Sequence, residues 1–294
     1  MSTSSADLPE REIRFIMDVE SSETMAWLLN ADTIITKGMG GTLAERPDFS
    51  GIKAILDIAC GPGGWVLEVA REHPEIEVTG FDISESMIRF AKALAISRGY
   101  GNARFLVMDV KQPLAFPDAS FDLVNERTLY GVLGPGDWPQ VLAECKRILR
   151  PGGLIRLTEF EWPVTTSPAL SSLGHLHTKS FYQFGRSFAA DEWHVGMTPV
   201  LKRLLRDAGF QNINHQGHVI DISAGTADFE GFFRNFVNGV QLAKPFSLKV
   251  PGLTTEQEYD RLSQHMQAEM LASDFCGLWT YVTAWGEKPQ ERAR

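Results

Sequence analysis

The chain has 294 residues, 44% of them hydrophobic, with 28 Lys and Arg against 37 Asp and Glu for a formal net charge of -9. An acidic chain without a basic run attracts neither a phosphate backbone nor an anionic lipid surface, so nucleic acid and membrane insertion are excluded as expected partners. Met1 to Asp7 lacks the basic and apolar regions of a signal peptide and no stretch reaches ~18 uninterrupted apolar residues; the scattered Cys60, Cys145 and Cys276 have no metal-ligand spacing. The expectation is a cytoplasmic protein with no disulfide and no metal.

Ahead of the first strand, Met25 to Gly41 carries Trp27-Leu28-Leu29 and then Lys37-Gly38-Met39-Gly40-Gly41, the pattern of a helix and a hinge, or of a packed arm ending in a solvated glycine loop. Ile55-Leu56-Asp57-Ile58 is then an apolar run holding a carboxylate that breaks into Ala59-Cys60-Gly61-Pro62-Gly63-Gly64. That is a strand, a tight turn and a helix start, and glycine there permits positive φ and close approach of a ligand to free helix N–H groups. Ala59, Gly61 and Gly64 fall on the three positions of a dinucleotide fingerprint. Asp57 tilts the choice the other way, because a carboxylate at the strand end repels a pyrophosphate and suits a ligand bearing an ammonium and a sulfonium, as S-adenosyl-L-methionine (SAM) does.

After a helix over Trp65 to Ala70, Glu77 to Asp82 reads as a second strand ending in an acid. Asp82 stands at the spacing at which a carboxylate accepts hydrogen bonds from ribose hydroxyls. An N-cap is the other reading of Asp82, though Ser84, ahead of the helix over Ser86 to Ala95, serves that purpose about as well. Arg104 to Asp109 is a third strand whose Asp109 suits an adenine amino group while Met108 packs on the ring; a plain turn acid is the other reading. Ala119 to Val124 is a fourth strand, which places Asn125 and Glu126 beyond its carboxyl end, where ligands of open α/β sheets sit. Leu149-Arg150-Pro151-Gly152-Gly153 stops a helix and turns into a fifth strand, Leu154 to Thr158.

This order of pieces resembles the class I SAM-dependent methyltransferases, in particular their ubiquinone/menaquinone-type small-molecule branch. The resemblance rests on Leu56 to Gly64, Gly80 to Met87, Met108-Asp109, Phe116 to Asp122 and Leu149 to Gly153, and it returns at Leu204 to Phe210 and near Thr280 to Lys288. It implies an α/β, Rossmann-like, seven-stranded, mostly parallel sheet with helices on both faces and helical cap insertions. It implies SAM as methyl donor, with S-adenosyl-L-homocysteine as product. Carried over residue by residue, it implies a cofactor site of Asp57, Ala59, Cys60, Gly61, Pro62 and Gly63, Asp82 on the ribose, Ile83 and Met87 beside adenine, Met108, Asp109 and Val110 at the base's other edge, and Asn125 near the transferring methyl. Ala59 in place of the usual first glycine, and Glu126-Arg127 after Asn125, depart from the family pattern.

The expected organisation is an N-terminal helical arm or lid at 1–50, a SAM-binding core at 51–159, an aromatic-rich cap insertion at 160–197, core helix and strand at 198–222, a helical insertion at 223–273, and a closing strand and tail at 274–294. The added segments are aromatic. Trp27, Phe160, Trp162, Phe181, Tyr182, Phe184, Phe188 and Trp193 suit a lid over an apolar acceptor pocket, and Phe229, Phe232, Phe233 and Phe236 follow helical spacing that also suits core packing. The predicted reaction is in-line methyl transfer to an O, C or N nucleophile of a small apolar or aromatic acceptor, in which positioning dominates and a base is needed only if the nucleophile must lose a proton. Glu159, His175, His177, Tyr182 and His194 are the base candidates. An NAD(P)-dependent oxidoreductase, or a SAM-fold protein that binds the cofactor without transferring methyl, are the alternatives.

Overall fold

A computed structural model describes residues 16–45 and 49–290. Parts of the expected 1–50 arm and of the 274–294 tail, the Met1 to Asp7 opening among them, lie outside the described residues. In chain order the elements begin with helix α1 (Ser22–Met39), strand β1 (Ala54–Ile58), α2 (Gly64–Glu72), β2 (Glu77–Asp82), α3 (Glu85–Arg98) and β3 (Ala103–Val107). Next come β4 (Phe121–Arg127), α4 (Trp138–Ile148), β5 (Leu149–Phe160), β6 (Val164–Thr165) and α5 (Pro168–Gln183). The chain closes with α6 (Leu201–Asp207), β7 (Gln211–Asp221), α7 (Phe229–Leu248), α8 (Glu256–Met270) and β8 (Gly277–Glu287).

The sheet runs β3-β2-β1-β4-β5-β8, parallel through β5, with β8 antiparallel to β5 and to β7 on its far side. Strands covered on both faces are apolar almost throughout, as in Ala54-Ile55-Leu56-Asp57-Ile58 with its single acid, and their alternate side chains feed two separate cores. Ile55, Leu123 and Leu154 pack with α2 and α3, whereas Leu56, Val124 and Ile155 pack with α4 and α6. A third core joins α1, α5, α7, α8 and the ends of β7 and β8 into a cap.

The sheet has eight strands where seven were expected. The eighth, β6, meets β8 at Leu278 and Gly277 on the edge opposite β7, so it continues the β5 ladder along β8 with a one-residue slip. The ladder breaks between them at Glu161–Pro163: Pro163 has no N–H to give, and the Glu161 carbonyl is taken by Trp279 Nε1 at 3.1 Å. A second difference concerns β4. It continues through Arg127, because Asn125 and Glu126 pair with both β1 and β5, so these residues stand within the sheet and not beyond it.

Candidate active site

Strands β1, β2 and β3 end at one edge of the sheet, and a cavity of about 270 Å³ opens there beneath the cap. One half is lined by Asp57, Ala59, Cys60, Gly61 and Pro62 around the end of β1, by Asp82, Ile83 and Met87 after β2, and by Met108, Asp109 and Val110 after β3. Ala59 and Gly61 hold φ of 53° each, so the turn places a non-glycine residue in the left-handed region. A Cβ on Gly61 would project to 3.7 Å from Leu28 and 3.9 Å from Met87, both cavity residues. Gly63 is different. Its φ is 81° and an added Cβ would lie 2.5 Å from the Phe105 ring, so this glycine makes room for the packing of β3 on α2 and does not line the cavity.

Asp82 serves the turn at both oxygens. Oδ2 accepts the Gly61 N–H and Oδ1 the Ser84 N–H, each at 2.9 Å, while Ser84 caps α3 by accepting from Met87 N–H at 3.2 Å. Burial raises the Asp82 carboxyl above the ordinary aspartate range, against the lowering effect of those amides. Asp57 is pushed up to about 7 by burial, opposed first by Asn125. Asn125 is itself wholly buried and does not reach the cavity: Nδ2 donates to Asp57 Oδ1 at 2.7 Å and Oδ1 accepts from the Arg156 guanidinium at 2.7 Å. Arg156 in turn pairs with buried Glu45, so Asn125 positions Asp57 from behind.

The other half of the cavity is aromatic. Tyr130, Phe160, Trp162, Phe181, Trp279 and Tyr281 form its wall, with Phe160 edge-on to both Tyr130 at 4.9 Å and Trp279 at 5.1 Å. Helix α1 contributes Trp27, Leu28, Ala31 and Ile35, and α7 contributes Phe236, Val240 and Ala243. Trp27 ties the two helices, donating Nε1–H to the Asn235 carbonyl at 2.9 Å. Among these wall residues Trp162 Nε1, Asn235 Nδ2 and Tyr281 OH are buried with no protein partner. Of the other predicted lid aromatics, Tyr182, Phe184, Phe188 and Trp193 lie off the cavity, as do Phe229, Phe232 and Phe233, which pack in the cap core or against it.

The five base candidates separate cleanly. Only His177 lines the cavity. Its Nε2 lies 2.8 Å from Tyr259 OH, whose single proton goes to the Val240 carbonyl at 2.7 Å, so Nε2 is the donor and Nδ1 carries the lone pair. Burial pushes the ring down to about 4 and keeps it neutral. His175, two residues away on a helix, points elsewhere and stacks on Trp193 at 3.9 Å. Tyr182 and His194 are exposed, the latter beside Asp191. Glu159 is fully buried and off the cavity. Its Oε1 accepts the Tyr130 N–H at 2.9 Å, and Glu126 Oε1 accepts the Leu129 N–H at 2.8 Å. Their two Oε2 atoms meet no other donor, and burial raises Glu126 to about 8 and holds Glu159 well above the ordinary glutamate range, so the pair keeps its proton. This acid pair fixes the backbone that carries Tyr130 into the cavity.

Sequence reasoning missed Asp32 and the role of Arg127. Both line the cavity and form an ion pair. The available signal was Asp32 alone among Trp27, Leu28, Ala31 and Ile35 on one helical face.

Residues 55–153 match the family model described as a methyltransferase domain. A demethylmenaquinone methyltransferase of Lactococcus lactis is 31% identical over 191 residues, covering 60% of this chain and 73% of that protein. A demethylmenaquinone methyltransferase of Staphylococcus aureus is 33% identical over 175 residues, covering 55% and 69%. Among solved structures, a Haemonchus contortus phosphoethanolamine N-methyltransferase 2 in complex with S-adenosyl-L-methionine matches with a TM-score of 0.53 at 18% identity, over 98% of this chain and 61% of that one, and this likeness concerns the fold. Among the described residues no helix is long and apolar enough to cross a membrane.

Proposed function

The chain belongs to the class I SAM-dependent methyltransferases of the ubiquinone/menaquinone type, and on that premise we propose that it methylates a planar hydroxyaromatic acceptor of quinol type held in the aromatic half of the cavity. The enzyme uses SAM and a small-molecule acceptor, which sets the oxidoreductase alternative aside. One observation carries the choice of acceptor: strand-end acids and a wall of aromatic rings border a single continuous cavity. A flat apolar ring suits rings presented edge-on and tilted, and unpartnered Trp162 Nε1–H, Asn235 Nδ2–H and Tyr281 O–H favour a molecule with oxygen acceptors.

The residues of the first half fit the donor. Asp57, Asp82 and Asp109 match a ligand with two positive centres, and the missing Cβ of Gly61, on the cavity side toward Leu28 and Met87, suits close approach of its chain. In this reading Asp82 accepts from the ribose hydroxyls with lone pairs left over from Gly61 and Ser84, Ile83 and Met87 flank the adenine, and Met108, Asp109 and Val110 close its other edge. When bound, SAM supplies a methyl on a sulfonium that leaves as a neutral thioether, so no acid is required. His177 orients an acceptor hydroxyl by accepting its hydrogen bond at Nδ1, since a buried imidazolium is costly. The cap excludes water.

Purified protein supplied with methyl-labelled SAM and a panel of naphthohydroquinones, catechols and aliphatic amines tests this. Label moving to the hydroxyaromatics is the expected result. Label moving only to the amines, or staying on the donor, refutes the acceptor class.

A further inference from the structure

The donor half of the cavity contains an ion pair that the roles above leave unused. Asp32 is the one charged residue on the face that α1 turns to the cavity, and Arg127, at the end of β4, is the one Lys or Arg among the described residues lining it. The Arg127 side chain is 7% exposed; it bonds Asp32 and also donates to Thr36 Oγ1 at 2.7 Å. The Asp32 carboxylate lies against Gly64, the first residue of α2, and draws on the N–H groups of Gly64 and Trp65. Asp57, Asp82 and Asp109 border the same half. A ligand carboxylate entering so acidic a cavity has one cationic side chain to meet, and a guanidinium is the group that takes a carboxylate through two parallel hydrogen bonds.

We propose that Asp32 and Arg127 are a clasp for the zwitterionic α-amino acid end of the donor, a reading that rests on the donor assignment above. Arg127 donates to the α-carboxylate and Asp32 accepts from the α-ammonium, so one ion pair within the protein is exchanged for two with the ligand. Thr36 keeps the guanidinium in place during the exchange. Because Asp32 belongs to α1, which also walls the acceptor half, the amino acid end of the donor ties this helix to the sheet edge, and the nucleoside end alone does not.

Calorimetry with three ligands tests the clasp: S-adenosylhomocysteine, decarboxylated SAM, which lacks only the carboxylate of the donor, and 5′-methylthioadenosine, which lacks the whole amino acid end. Arg127→Gln is expected to weaken S-adenosylhomocysteine by about 10- to 100-fold and leave the other two within about twofold. Asp32→Asn is expected to weaken S-adenosylhomocysteine and decarboxylated SAM while sparing methylthioadenosine. Equal losses for all three ligands assign the pair a purely structural role and overturn the proposal, as does unchanged S-adenosylhomocysteine affinity in both variants. If Arg127→Gln fails to fold, the double variant Asp32→Asn/Arg127→Gln replaces the ion pair by an amide pair and the same comparison is read there. Wild-type protein that binds none of the three brings down the donor assignment itself, an outcome distinct from failure of the clasp alone.

Discussion

Replacing Asp82 by Asn keeps the side chain's shape and removes one acceptor oxygen together with the charge. In the native turn each oxygen accepts a backbone N–H at 2.9 Å, from Gly61 and from Ser84. An asparagine carbonyl serves one of these amides, and its NH₂ then faces the other. One charge-assisted bond is lost, about 1.5–3 kcal/mol, and a part-buried N–H is stranded at a further ~1–3 kcal/mol, so a loss of stability of roughly 2.5–6 kcal/mol is expected. The donor suffers separately. With no carboxylate lone pairs for the ribose hydroxyls, S-adenosylhomocysteine is expected to bind about 10- to 100-fold more weakly. Urea unfolding measures the first quantity and calorimetry on the folded variant the second. A stability loss with unchanged affinity refutes the ribose role and leaves Asp82 as a turn residue; unchanged stability refutes the worth assigned to the two amide contacts.

Two glycines two residues apart in the same turn separate binding from folding. Gly61→Ala pays only left-handed strain of ~1–2 kcal/mol, as Ala59 already does, yet points a methyl toward Leu28 and Met87; calorimetry is expected to show lost donor binding in a folded protein. Gly63→Ala adds overpacking against Phe105 to the same strain, about 2–5 kcal/mol in all, and is expected to show as a lowered Tm. The Glu126–Glu159 pair makes stability pH-dependent. Because burial raises the folded-state pKa of Glu126 to about 8, the folded chain keeps a proton that the unfolded chain releases, and stability falls as pH rises from the ordinary carboxylate range toward about 8, by up to ~1.4 kcal/mol per pH unit. Glu126→Gln, which donates to Glu159 and still accepts from Leu129, is expected to flatten that decline in urea unfolding measured at several pH values. At the acceptor, His177→Phe is expected to lower kcat by about 10- to 100-fold with S-adenosylhomocysteine affinity unchanged, and His177→Gln, which retains an acceptor atom, to lose less; equal kcat in all three proteins removes His177 from the reaction.

That Asp57, Ala59, Gly61 and Asp82 gather around one half of the cavity was legible because its requirements are local. A strand that carries Asp57 next to its last residue, a turn that needs left-handed backbone at Ala59 and Gly61, and an acid placed one strand on at Asp82 are backbone demands met by residues near one another in sequence, and one sheet edge gathers them. What needed the tertiary structure was the direction of side chains that answer to distant partners. Gly63 shares the turn's backbone demand, but Phe105 of β3 decides that its missing Cβ serves packing. Asn125 reads as a residue past a strand end until pairing with both β1 and β5 draws it into the sheet behind Asp57. The aromatic half collects α1, the end of β4, β5, α5, α7 and β8, and no periodicity within any one of them says which faces converge. His175 and His177 are alike as sequence. Helical pitch and the Tyr259 hydroxyl, 82 residues away, turn one toward the cavity and leave the other against Trp193. Backbone conformation is dictated by neighbours along the chain, whereas a binding surface is made by side chains that only packing brings together.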